Sequence, residues 1–269
     1  MTTLSSYLAI ANNMSRWLAA TAQSPAVSIA TNYFEQNIGN VKSANDLIND
    51  PRLFDYAMTA FGLGDMTYAQ GLMKQVLAQG VSSSSALANT LPNPNIRAFA
   101  EAFDFADNGA STTASPTLAS DVVNRYLENS LQTAQGQQDP GVQLALYFQQ
   151  NAPNITSIYG ILGDQNLLTV VQTALGISPL TSAEPIDTQA QMLSSLINIS
   201  DFKNPAKLQS FIERFAALYD SSSSASNGAP TPASSPLLSL FNSSTAATDS
   251  GGLSAGLLLQ AQNINFGGL

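Results

Sequence analysis

A thirty-residue segment occurs twice in this chain, and this repeat constrains the fold more than any other feature. The first copy, YFEQNIGNVKSANDLINDPRLFDYAMTAFG, begins at Tyr33, and the second, YFQQNAPNITSIYGILGDQNLLTVVQTALG, begins 114 residues later at Tyr147. Eleven positions are identical, whereas unrelated sequences would share about two. The identical residues of the first copy are Tyr33, Phe34, Gln36, Asn37, Asn40, Ser43, Asp50, Leu53, Thr59, Ala60 and Gly62. Polar positions match as well as apolar ones, which favours duplication of a helical unit over convergence on a common cap pattern.

Apolar residues recur at three- and four-residue steps between turn signals, a spacing typical of amphipathic helices. Leu4 to Thr21 is predicted to form one such helix. The signals that open later helices are Ser24-Pro25, Ser43, Asp50-Pro51, Asp65, Pro94, Asp139-Pro140, Asp164, Asp187 and Asn204-Pro205, and those that close them include Gly62, Gly80 and Gly176. Residues 107–116 are predicted to form a loop. Alternating runs of β-branched residues are scarce, so few strands are expected.

These patterns predict an all-α fold, a multihelical bundle of two related, duplicated helical lobes with a flexible C-terminal tail. The predicted division is 1–32 for N-terminal amphipathic helices, 33–116 for the first lobe, 117–220 for the second lobe and 221–269 for a low-complexity linker and C-terminal segment. Within the last part, 221–236 is rich in Ser and Pro, and 253–266 is compatible with one more short helix.

The chain contains no histidine and no cysteine. This excludes a Ser-His-Asp triad, a Cys-His pair, disulfides and metal sites built from these residues. Asp104, Asp107 and Asn108 lie near Gly109, but their spacing departs from a calcium loop, and we interpret them as a solvated helix end. Asp50 and its repeat equivalent Asp164 are interpreted as helix caps. We therefore predict no catalytic, cofactor-binding or metal-binding residues, and no cofactor.

Charged residues make up only 10% of the chain, against about 25% in typical soluble domains. The net charge is −9, and the nine Lys and Arg residues are scattered. We therefore expect protein partners and no nucleic acid, because nucleic-acid binding needs clustered cations. No apolar run reaches membrane-spanning length, so membrane insertion is not expected. The first basic residue is Arg16, so we predict no cleaved secretory signal peptide.

Four segments resemble a bacterial family of domains of unknown function, number twelve-seventeen in that series. They are NDPRLFDYAMTAFGLGDMTYAQGLMKQVLAQGV, IRAFAEAFDFA, QNAPNITSIYGILGDQNLLTVVQTALG and DFKNPAKLQSFIERFAALYD. The resemblance spans about Leu4 to Asp220; the chain departs from it in its fewer charges and its Ser-rich stretches at 82–85 and 221–235. It implies a multihelical fold, and because genes of the family often lie among flagellar genes, it implies a role in the flagellum.

Three functions are compatible with these observations. The first is a non-catalytic structural or assembly protein of the bacterial flagellum that contacts flagellar components through helices, with self-association through its terminal helices. The second is a cytoplasmic adaptor or export chaperone that holds partner helices in a groove between the lobes. The third is an enzyme, which would need a deep pocket with two close carboxylates. Trp17 and Leu18 would add a partner-binding stripe if the first helix lay outside the core.

Overall fold

Helices are the only regular elements in the part of the chain that the computed structural model describes, residues 2–226. The α-helices are α1 (Thr3–Ala11), α2 (Met14–Ala22), α3 (Pro25–Asn37), α4 (Ala44–Asn49), α5 (Pro51–Ala60), α6 (Gln70–Gln79), α7 (Leu87–Thr90), α8 (Pro94–Ala102), α9 (Phe105–Asn108), α10 (Pro116–Gly136), α11 (Pro140–Asn151), α12 (Ile158–Leu162), α13 (Gln165–Leu175), α14 (Ile186–Leu196) and α15 (Pro205–Ser226). Short 3₁₀ turns lie at Ile38–Asn40, Gly64–Met66, Gly109–Ser111, Ala152–Asn154, Pro179–Ala183 and Ile199–Lys203. The predicted all-α fold class is confirmed.

Side-chain caps begin several of these helices as the sequence predicts. Oδ1 of Asp50 accepts the backbone N–H groups of Arg52 and Leu53 at 3.0 and 3.1 Å. Asp139 caps α11 and Asp164 caps α13 in the same manner. Each carboxylate satisfies amides that have no partner inside the helix, and its charge lies at the positive end of the helix dipole.

The prediction of a single helix from Leu4 to Thr21 is wrong. The helix is interrupted at Asn12 and Asn13, which separate α1 from α2. The Asn13 N–H donates to the carbonyl of Ile10 at 2.9 Å, and the Asn13 side chain donates to the carbonyl of Ala9 at 3.2 Å. An asparagine side chain competes with the helical hydrogen bonds in this way, so the helix ends at this point although the apolar spacing continues.

Asp65 does not cap a helix, contrary to the prediction. It lies inside the 3₁₀ turn Gly64–Met66, and α6 begins only at Gln70. The side chain of Leu63 is buried in the core, and its N–H donates to the carbonyl of Met58 at 2.8 Å. The residues after α5 therefore place Leu63 in the core, and α6 begins several residues later than predicted.

Three other boundaries differ from prediction. The segment 107–116 contains the end of α9 and the 3₁₀ turn Gly109–Ser111 rather than an irregular loop. Asp187 lies within the first turn of α14, whose N-cap is Pro185. The last helix, α15, continues to Ser226 through residues predicted to begin a linker. The remainder of that linker and the predicted helix at 253–266 lie outside the described residues.

The two copies of the repeat contain the same elements at the same spacing. In each, an α-helix ends in a 3₁₀ turn, and a short α-helix and a longer one follow. The chain then turns at Gly62 or Gly176, both with a φ of 69° that favours glycine. Asn37 Nδ2 donates to the carbonyl of Tyr33 at 2.8 Å, and Asn151 Nδ2 donates to that of Tyr147 at 2.9 Å. These features show equivalent local structure, while duplication of whole lobes stays an interpretation.

Buried apolar side chains form two hydrophobic clusters within one compact unit that extends to Ala225. The first cluster draws on α3 to α8 and the start of α10, with Phe34, Phe54, Phe99 and Phe103 among its fully buried side chains. The second draws on α11 to α15 and includes Tyr7 and Ile10 of α1. The helix α10 contributes to both, through Leu118 and Val122 at one end and Leu131 at the other. The predicted division of the chain into four parts stays a prediction.

The N-terminus of α1 is held by carboxylates from distant parts of the chain. Oδ1 of Asp220 accepts the N–H of Thr3 at 2.8 Å, and Oδ2 accepts the N–H of Leu4 at 3.3 Å. The hydroxyl of Thr3 donates to Asp139 at 2.9 Å. A Cβ at Gly141 would lie 2.7 Å from Cγ2 of Thr3. The absence of a side chain at Gly141 therefore allows α1 to lie close against α11.

Candidate functional site

Two adjoining cavities lie beside α10 and α11 and form the candidate site. The Glu128 cavity, which also has Met14, Asp121, Leu131 and Leu146 in its wall, has a volume of about 530 Å³. The Tyr147 cavity, bounded by residues such as Phe61 and Leu167, has a volume of about 540 Å³. Both cavities are lined by Arg125, Gln150 and Asn154. We call the pair the amide cleft, because its wall holds the carboxamides of Asn95, Asn124, Asn129, Gln132, Gln149, Gln150, Asn151 and Asn154.

One face of α10 supplies a row of polar side chains to this cleft. Asn124, Glu128 and Gln132 are spaced by four residues, so they lie above one another on the helix surface. From Asn124 to Gln132 the row extends about 12 Å. Other side chains of α10 enter the two hydrophobic clusters, and the polar row borders the cleft.

A chain of hydrogen bonds joins α10 and α11 in the Glu128 cavity. Nε2 of Gln132 donates to Oε1 of Gln150 at 2.8 Å, and Nε2 of Gln150 donates to Oε2 of Glu128 at 2.5 Å. Gln132 is only 4% exposed. The chain of donors therefore orients the carboxamide of Gln150 and ends on the carboxylate of Glu128.

The pKa of Glu128 is raised above its usual value of 4.5. Burial is the largest cause, and the hydrogen bond from Gln150 and the positive charge of Arg125 oppose it. Arg125 places its guanidinium carbon 4.9 Å from the ring centroid of Phe61, a cation–π contact in the first cluster. Between described residues the one ion pair closer than 4.0 Å joins Lys207 and Asp201. Glu128 thus makes no direct ion pair with Arg125.

A buried polar network lies at the Tyr147 cavity. Nδ2 of Asn95 donates to the hydroxyl of Tyr147 at 2.9 Å, and this hydroxyl donates to Oδ2 of Asp164 at 2.5 Å. Burial, with the negative charge of Asp164, raises the pKa of Tyr147, so the hydroxyl stays a donor at neutral pH. The network ties α8 in the first half of the chain to α11 and the cap of α13 in the second.

Three of the aspartates considered as site candidates in the sequence act as helix caps. Asp50 and Asp164 cap α5 and α13, which confirms their interpretation. Asp104 caps α9 by accepting the N–H of Asp107 at 3.3 Å. In residues 2–226, no group of three or more His, Cys, Asp or Glu side chains is placed to hold a metal ion.

Sequence reasoning missed Glu128, Arg125 and Gln150. Polar residues at helical spacing are typical of a solvated helix face, and nothing in α10 alone shows that this face lines a cleft. The available signal was the run of carboxamides in both α10 and α11, but only the packing of the two helices brings them to one cavity.

Trp17 lies on α2, which buries none of its side chains. It is 36% exposed and borders a third cavity of about 430 Å³ together with Ala9, Asn13, Arg16 and Ala20. The neighbouring residue Leu18 is half-buried against the second cluster. Trp17 and Leu18 therefore do not share one exposed stripe.

No helix within residues 2–226 is both long enough and apolar enough to cross a membrane.

Residues 60–208 match the family described as "Protein of unknown function (DUF1217)". The chain belongs to the DUF1217 family. The matched region runs from the last residue of α5 into α15 and includes the lining of the amide cleft apart from Met14. The resemblance to this family noted in the sequence is thereby confirmed.

A solved structure has the same fold as this DUF1217 chain. The crystal structure of protein AGR_C_984 from Agrobacterium tumefaciens is 35% identical in sequence, with a TM-score of 0.76. The similarity covers 81% of this chain and 92% of that one. No curated protein matches the chain.

Proposed function

We propose that this chain is a non-catalytic structural or assembly protein associated with the bacterial flagellum, which acts by binding segments of other protein chains. The observation that carries the binding role is the amide cleft between the two hydrophobic clusters. The flagellar association comes from the resemblance to a family whose genes often lie among flagellar genes.

The chemistry of the amide cleft suits a polypeptide in extended conformation. Side-chain carboxamides both donate and accept hydrogen bonds, so they can pair with the N–H and C=O groups of a main chain. The lining of the Glu128 cavity on α10 runs from Asp121 to Gln132, about 16 Å, which is the length of about five residues of extended chain. Apolar residues such as Leu146 and Leu167 provide contacts for side chains of such a segment.

A cytoplasmic adaptor or export chaperone is the alternative, and the position of the cleft between the clusters favours it. In the sequence-based prediction, such an adaptor or chaperone binds partner helices. However, a helix satisfies its own main-chain groups and docks through an apolar face, so it would gain little from carboxamides. We therefore favour an extended segment as the partner in either case.

Deletion of the gene tests the flagellar role. We expect the deletion to reduce swimming in soft agar and to shorten or remove filaments seen by electron microscopy. Unchanged swimming and filament length would contradict the proposal. Detection of the protein in purified hook–basal bodies would support a structural role, whereas a pool confined to the cytosol would support the adaptor.

Complementation of the deletion strain tests the cleft itself. Asn124 is exposed and lines the Glu128 cavity, and Asn124→Arg would fill part of that cavity. The control is Asn32→Arg, at an exposed position of α3 that does not line the cleft. The proposal expects normal swimming with the control and reduced swimming with Asn124→Arg at equal protein level. Equal swimming of the two strains would count against the cleft.

A further inference from the structure

The Glu128 cavity contains a half-buried carboxylate that no described cation contacts directly. Glu128 lies beside Arg125 on α10, yet the guanidinium of Arg125 is held over the ring of Phe61. No ion pair closer than 4.0 Å joins Glu128 to another described residue. A carboxylate that loses water without gaining a direct ion pair is unfavourable, and proteins usually pair or neutralise such groups.

The cavity also has unused hydrogen-bond acceptors. An ionised carboxylate can accept about four hydrogen bonds, and Glu128 accepts one from the described residues, at Oε2 from Gln150. Oε1 of Gln149, which belongs to the wall of the same cavity, is buried and has no donor among those residues. The site is therefore short of donors.

The charge of the cavity and the apolar residues in its wall both favour a long, positively charged side chain as the occupant. The charged residues that line this cavity are Asp121, Arg125 and Glu128, which leaves one negative charge in excess. The whole chain has a net charge of −9. Leu131 and Leu146 lie in the wall beside these polar groups and can contact the methylene stem of a long side chain.

We infer that the Glu128 cavity receives the guanidinium group of an arginine side chain on the partner polypeptide. The planar guanidinium carries five N–H donors and remains charged, which fits a carboxylate and neighbouring carboxamide oxygens better than a compact ammonium does. Glu128 accepts the charge-assisted hydrogen bonds, and Gln150 holds the carboxylate in position. This inference rests on the proposed function, because it names the chemistry of the bound segment.

Two small probes test the inference on the wild-type protein. N-acetyl-arginine amide carries the guanidinium, and N-acetyl-citrulline amide has nearly the same shape without the charge. Binding is followed by the side-chain NH₂ signals of Gln132 and Gln150 in NMR titrations. We expect saturable shifts with the arginine probe and at least about tenfold weaker binding of the citrulline probe. Equal affinities, or shifts confined to residues outside the cavity, would overturn the inference.

A variant pair separates the specific carboxylate from general attraction by an acidic protein. Glu128→Gln keeps the size of the side chain and an oxygen that accepts from Gln150. Glu35→Gln removes one charge at an exposed position of α3 outside the cavity. We expect Glu128→Gln to lose at least tenfold in affinity for the arginine probe and Glu35→Gln to bind as the wild type does. An equal effect of the two substitutions would overturn the inference, and the wild-type comparison decides it if Glu128→Gln fails to fold.

The outcome is distinguishable from that of the gene deletion. If deletion impairs swimming but the arginine probe does not bind, the guanidinium site is wrong and the flagellar role stands. If the probe binds but deletion leaves motility unchanged, the site stands and the flagellar role is wrong.

Discussion

The hydroxyl of Tyr33 donates to Oδ2 of Asp50 at 2.7 Å, and it thereby joins α3 to the carboxylate that caps α5. The second copy of the repeat makes the same contact between Tyr147 and Asp164. The surroundings differ. The guanidinium carbon of Arg52 lies 3.5 Å from the ring centroid of Tyr33. The Tyr147 hydroxyl instead accepts a hydrogen bond from Nδ2 of Asn95 in a buried network. We therefore expect the two equivalent contacts to contribute differently to stability.

Tyr147→Phe should lower the free energy of unfolding by about 1–3 kcal/mol, because it leaves buried groups of Asn95 and Asp164 without a partner. Tyr33→Phe removes the equivalent hydroxyl at a more exposed place and should cost less. Urea denaturation of both variants beside the wild type measures the difference. Equal losses would show that the two contacts are equivalent in energy as well as in geometry.

Asp50→Ala should cost about 1 kcal/mol at pH 7 through loss of the helix cap. Burial alone would raise the pKa of Asp50, but the hydrogen bonds from Tyr33 and from the amides of Leu53 and Arg52 outweigh it and lower the pKa below 3.8. The stabilisation is therefore present above the unfolded-state pKa and is lost as the pH falls through the folded-state pKa.

The difference between wild type and Asp50→Ala should accordingly shrink as the pH is lowered below 3.8, as followed by urea denaturation at several pH values. Asp55→Ala is the control, because it removes a carboxylate from an exposed position of the same helix. A difference for Asp50→Ala that is independent of pH would contradict the role of its charge.

Glu128→Gln should stabilise the fold more at pH 7 than at pH 4. The pKa of Glu128 is raised by burial, so its contribution to stability is full below the unfolded-state value near 4.5 and is lost as the pH rises through the folded-state pKa. Glutamine has no such loss. Thermal unfolding of both proteins across this range measures the effect, and a constant difference would indicate that Glu128 is well solvated.

Gly163→Ala should destabilise the fold by about 1–3 kcal/mol, since a Cβ there would come closer than 3.0 Å to the carbonyl oxygen of Pro92 and force the backbone to move. Gly39→Ala is the matched control, because a Cβ at Gly39 would meet nothing within 4 Å. The control should change stability by less than about 1 kcal/mol. Equal melting temperatures of the two variants would show that the contact at Pro92 is easily relieved.

Local signals in the sequence were enough to predict most helix starts. Asp50, Asp139 and Asp164 each stand at an N-cap, where their chemistry acts on amides two or three residues away. The same reasoning failed at Asp65, because the start of α6 depends on Leu63 entering the core. Caps are local, whereas the burial of a particular side chain depends on the whole fold.

The amide cleft could not be predicted for the same reason. Glu128 and Gln150 are 22 residues apart, and their hydrogen bond exists only because α10 and α11 pack side by side. The close approach of Gly163 to Pro92 likewise joins the two halves of the chain. A helical pattern identifies which face of one helix is apolar, but it does not identify which polar face will meet another.

The attachment of α1 has a consequence for synthesis on the ribosome. Thr3 and Leu4 bind Asp220, more than two hundred residues later in the chain, and Tyr7 and Ile10 enter a cluster formed by α11 to α15. The nascent α1 therefore emerges long before the surfaces that cover it have been translated. Its aromatic and aliphatic side chains remain open to chaperones or to neighbouring nascent chains until translation is nearly complete.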